Sequence, residues 1–196
     1  MHPRIQEVLS VLDETRASFT SAVAAIPATL HSARPPGDRW SVAEVVEHLG
    51  IVEGRIAQMI TEKIDEARKT GLGAETAVTP VAPMLDVASV IDRSKPVIAG
   101  EASQPRAGLS VEDGVKLLAE RRAALRQTVV AADGLALGSV EASHPRLGTL
   151  NVYQWLLFLA GHEGRHTDQI REVARSVAVQ RPNPASVVTS CPCDQA

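Results

Sequence analysis

Aromatic side chains are scarce, with only Phe19, Trp40, Tyr153, Trp155 and Phe158 among 196 residues. A core must then be built from Ala, Val, Leu and Ile, which at this length suits closely packed helices better than a sandwich of aromatic-rich strands. Cysteine is nearly absent. Cys191 and Cys193 both lie in the closing segment PNPASVVTSCPCDQA, so a disulfide framework is excluded, and two ligands alone make no metal site. An excess of one charge is also missing: 20 Lys and Arg stand against 23 Asp and Glu, a net of −3, with no block of like charges. This argues against a nucleic-acid partner and against a polybasic membrane patch. No stretch is apolar for long enough to cross a bilayer, and MHPRIQEVLSVLDE breaks its apolar pattern with charges where a signal peptide has its apolar centre. The expected setting is the cytoplasm.

What is present is helical spacing. Ile5, Val8, Leu9, Leu12, Phe19 and Val23 mark a first helix from about His2 to Ala25. Ser41 and Glu44 form a capping-box pattern, followed by one apolar face from Val42 to Ile64 and closure at Gly71 and Gly73. Residues 72–109 carry Pro80, Pro83, Pro96 and Pro105 and read as a long crossover, with only Met84 to Asp92 able to form a short helix. Ser110 and Asp113 open a third helix that ends near Gly134, with Arg122 in its apolar stripe and expected to reach out to solvent. A loop holding His144, Pro145 and Gly148 leads to a fourth helix, from Asn151 and its capping partner Gln154 to about Ser176. No run alternates clearly enough for a strand. The expectation is an all-α four-helix bundle over residues 1–178, with its long crossover between the second and third helices and a flexible tail at 179–196. A chain of this size buries roughly 70% of its unfolded surface without staples, so a metal would serve function.

The chemistry concentrates on three histidines. On the fourth helix Trp155, Leu159, His162, His166, Gln169, Ile170, Val173 and Val177 share one sector, and the four-residue spacing of His162 and His166 sets two imidazoles side by side. His48 borders the apolar face of the second helix near Val45, Val52 and Met59. Core histidines satisfied by hydrogen bonds are the competing reading, but neutral imidazoles gathered in a polar-poor core are costly unless something coordinates them. Three such nitrogens suit zinc, nickel or ferrous iron and leave room for water or substrate.

His162-Glu163-Gly164-Arg165-His166 also reads H-E-x-x-H, the zinc-protease pattern. Its context does not fit: Gln169 and Glu172 stand where the extended form needs Gly and His, and Glu172 is the last glutamate. Glu163 and Glu44 are weak candidates for a catalytic base, though the capping box explains Glu44, and Glu163 could equally support a ligand or be a surface charge. Arg165 and Gln169 are weak candidates for holding substrate or cofactor. His144 reads as a solvent-facing turn residue, and Trp40 and Trp155 as core anchors.

The segments WSVAEVVEHL (Trp40–Leu49) and HPRLGTLNVYQWLLFLAGHEGRHTDQI (His144–Ile170) resemble the two signature regions of the DinB/YfiT-like superfamily, which is unrelated to the translesion polymerase of similar name. The resemblance covers about residues 1–178. It implies a four-helix bundle with a metal held by His48, His162 and His166, and a homodimer. Some members are thiol-dependent transferases or isomerases, which implies a low-molecular-weight thiol and a small-molecule substrate. Metal-dependent hydrolysis, and a non-catalytic metal- or ligand-binding module linked to stress, are the alternatives.

Overall fold

Helix α1 (Pro3–Ala24) begins on a proline, whose missing N–H costs nothing in a first turn. At the start of α2 (Val42–Lys69) the Ser41 hydroxyl accepts from the Glu44 backbone N–H while the Glu44 carboxylate accepts from that of Ser41. Gly71, at φ 87°, then turns the chain away. Within the crossover, α3 (Val87–Ile91) is capped by Asp86. Ser110 caps α4 (Val111–Ala131) through the Asp113 N–H. After a hairpin of β1 (Glu141–His144) and β2 (Gly148–Asn151), Asn151 and Gln154 exchange two bonds at the head of α5 (Val152–Val179). These elements come from a computed structural model that describes residues 1–94, 96–106 and 108–179, the Val179 side chain excepted. The expected tail, with Cys191 and Cys193, lies outside the described residues.

The protein is mainly helical, as expected, and two expectations need correcting. The segment read as a loop around His144 is an antiparallel hairpin, pairing Glu141 with Asn151 and His144 with Gly148. Four-residue strands of sequence EASH and GTLN carry almost no β-branched or aromatic signal, and Gly148, at φ 77°, supplies the left-handed turn that closes a three-residue loop. The second correction is Arg122, which is 8% exposed and does not reach solvent.

Arg122 belongs to a charged layer with one member from each long helix. Its Nε donates to Glu53 at 2.6 Å and its Nη2 to Glu163 at 3.3 Å; Arg16 donates from Nη2 to Glu53 and from Nε to Glu163, both at 2.6 Å. Burial opposes the Arg122 charge, but the Glu53 and Glu163 carboxylates outweigh it and hold its pKa above the ordinary value. The layer separates two apolar cores: Leu12, Ile56, Leu125 and Leu156 belong to one, and Phe19, Leu49, Leu118 and Ile170 to the other.

Helix α1 packs chiefly on α5 and α2 on α4, with α2 also touching α5. The crossover is tied to this frame. Glu7 accepts from the Val81 and Ala82 N–H groups, and Glu47 from those of Arg106 and Gly108. Helix α3 lies on α5 where Gly161 and Gly164 leave space; a Cβ at Gly161 would meet Val90 at 3.0 Å. Among the described residues no helix is long and apolar enough to cross a membrane.

Candidate metal centre

His48 sits nearly two turns into α2 on its buried face, and His162 and His166 lie a turn apart on α5, so the contact between these helices brings the rings together. One ring nitrogen from each lies within 4.8 Å of the other two. His48 is 4% exposed and His166 8%, while His162 keeps part of its ring on a pocket wall. The Nδ1 of His48 is 2.6 Å from the Ser103 carbonyl and that of His166 is 2.7 Å from Gln169 Oε1, so both carry their proton on Nδ1 and leave Nε2 as a lone pair. His48 Nε2 is 3.3 Å from His162 Nε2. The Nδ1 of His162 is sealed from solvent with no hydrogen-bond partner.

Burial is the main cause of a low pKa in all three. His162 is pushed down to about 3, with the fields of His48, Arg165 and His144 adding to the effect. His166 falls well below its ordinary value through burial and its two neighbouring imidazoles, and His48 falls through burial, offset in part by the Ser103 carbonyl. The imidazoles are therefore neutral at pH 7, the state that binds a metal. The donor set fits a divalent cation: two nitrogens are aimed by partners behind them, and His162 turns its Nε2 to within 3.3 Å of one of them.

The rings form the floor of an open cavity of about 720 Å³ between α2, the crossover, the hairpin and α5. Phe158 stacks on His162 at 5.7 Å, and His144 meets Phe158 edge-on at 4.5 Å. His144 is thus part of the pocket wall and not a solvent-facing turn residue; its Nδ1 accepts from the Arg146 and Leu147 N–H groups. Trp155 is buried, as expected of an anchor, whereas Trp40 is half-buried with its ring 4.9 Å from that of His48.

The two carboxylates singled out from sequence do not join the triad. Glu163 turns to Arg16, Arg122 and the Thr15 hydroxyl, and Glu44 is taken by Arg34 and its capping box. Gln169 orients His166, and Arg165 lines the cavity while donating to the Asp92 carbonyl. Sequence reasoning missed Ser103, Phe158, Arg55 and Arg146, which also line the cavity. Ser103 acts through its backbone, which no side-chain pattern signals.

Packed helices that bring three imidazoles to the floor of a cavity define a class of helical histidine-triad proteins. Within that class the chain belongs to the DinB superfamily, whose family model matches residues 11–170. It is similar to the uncharacterized protein YuaE of Bacillus subtilis (strain 168), at 23% identity over 184 residues, covering 86% of this chain and 98% of that protein. No solved structure is significantly similar to it.

Proposed function

We propose that this protein is a metal-dependent enzyme acting on a small molecule, with His48, His162 and His166 as ligands to zinc, nickel or ferrous iron. The observation that carries the reading is the convergence of three neutral ring nitrogens within 4.8 Å at the floor of an open cavity. His48, His162 and His166 would hold the cation, whose Lewis acidity would favour the ionised form of a thiol or a water near neutral pH. The chain's own residues do the rest. Ser103 and Gln169 fix two rings by hydrogen bonds, and Phe158 and Trp155 give the cavity an apolar wall beside them.

Thiol-dependent S-transfer is the first choice of reaction because the superfamily includes such enzymes. Hydrolysis is the second, since the described residues place no fourth His, Cys, Asp or Glu with the triad and leave a position open. The four long helices are read as a bundle forming one domain over residues 1–178, working as a cytoplasmic homodimer. Metal analysis of protein purified without a nickel column tests the reading. Replacing His48, His162 or His166 by Ala is expected to weaken metal affinity by orders of magnitude with the fold intact, whereas His144→Ala has a far smaller effect. Unchanged affinity in His48→Ala removes α2 from the site.

A further inference from the structure

The cavity above the triad has a charge that its chain does not share. Arg55 from α2, Arg146 from the hairpin turn and Arg165 from α5 line it, against one carboxylate among the described residues, Asp92. That carboxylate accepts from the backbone N–H and the hydroxyl of Ser94, and its field offsets Arg165, which leaves Arg55 and Arg146 as the charges in excess. The chain as a whole carries three more acidic than basic residues, so a positive cavity is a local arrangement. The arginines are set around the opening. Arg55 donates to the Ala102 carbonyl and the Ser103 hydroxyl on the His48 side, while the field of Arg146 reaches Arg165 on the His162 side.

A second observation concerns the apolar surface. Val97, Ile98 and Leu147 are 46%, 91% and 41% exposed, and all three lie at this cavity, whose deeper wall adds Met59 and Phe158. Large apolar side chains held open to water beside arginines make a surface for a molecule with an apolar body and an anionic end. A neutral or cationic ligand would gain no charge-assisted hydrogen bonds from Arg55 and Arg146, the two exposed arginines of this cavity.

We infer that the cavity binds a small organic acid, with its anionic group against the arginines of the opening and its apolar body along Val97, Ile98 and Leu147. The inference names the substrate class of the proposed centre. It rests on that reading only for the chemistry, because anion recognition uses residues outside the triad.

Octanoate serves as the probe, with 1-octanol and octylammonium as controls of equal chain length, titrated calorimetrically into the full chain in chelator-treated and zinc-loaded forms. In the chelated form octanoate is expected to bind about tenfold or more tightly than octanol, with octylammonium weaker still. Joint Arg55→Gln and Arg146→Gln substitution should abolish this preference while leaving octanol binding unchanged. Arg146→Lys alone, which keeps the charge, should retain most of it, and circular dichroism checks the fold of each variant. Equal binding of the three probes, no binding of any, or a preference that survives the double substitution overturns the inference. If zinc fails to bind but the arginine-dependent preference persists, the metal centre falls and the organic-acid site stands; if zinc binds without the preference, the metal centre stands and the organic-acid site falls.

Discussion

At the residue scale, burial governs the titration of the triad. His48, His162 and His166 all lie below the ordinary imidazole value of 6.5, His162 at about 3. Below about pH 6.5 the unfolded chain takes up protons that the folded, metal-free protein does not, so stability falls as pH drops from there towards 3. The loss reaches at most about 1.4 kcal/mol per pH unit for each imidazole that stays neutral. Thermal melts of chelated protein should be flat above about pH 7 and shift downward below it, with a shallower slope in His162→Ala. A melting temperature unchanged down to about pH 5 would mean that the rings are charged in the fold. Glu163 supplies a second residue-scale test. Glu163→Ala leaves Arg16 and Arg122 short of a carboxylate in the interior and is expected to cost about 3–5 kcal/mol in denaturant unfolding, with metal affinity changed far less than by loss of a histidine. The reverse pattern would return Glu163 to the metal.

At the element scale, the charged layer acts on register. Sliding one helix by a turn would set a charge from Arg16, Glu53, Arg122 or Glu163 against one of the apolar cores, so the layer favours the alignment that also brings His48 level with His162 and His166. Helices α2 and α4 approach closely at Gly114, where a Cβ would stand 2.7 Å from Val46 Cγ1. Gly114→Ala gains helix propensity of about 1 kcal/mol but must displace a stiff, fully buried valine, and a net loss of about 1–2 kcal/mol is expected in equilibrium unfolding. The long helices were legible from sequence because their caps at Ser41, Ser110 and Asn151 and their apolar spacing agree. The triad was legible because His162 and His166 share an inward sector. The hairpin was not, since its strands are short and polar, and Arg122 was misjudged because its carboxylate partners, Glu53 and Glu163, lie on other helices and far away in sequence.

At the scale of the whole molecule, two apolar cores and the charged layer between them bury enough surface for a chain of this size to fold without a staple, so the fold is expected to persist without a metal. Chelation should leave the far-ultraviolet circular dichroism unchanged. Returning zinc at about 100 times its dissociation constant should add roughly 2.7 kcal/mol of stability, seen as a higher melting temperature. Collapse of the helical signal on chelation would instead assign the metal a structural role. The packing order also bears on how the protein is made. Helix α1 finds its main neighbour in α5, and His48 finds its companions there as well. On a ribosome, His48 leaves the exit tunnel 114 residues before His162, following the spacing between the two. The centre therefore cannot close on a nascent chain that lacks α5, and an ion held by all three rings would be captured only after α5 has emerged.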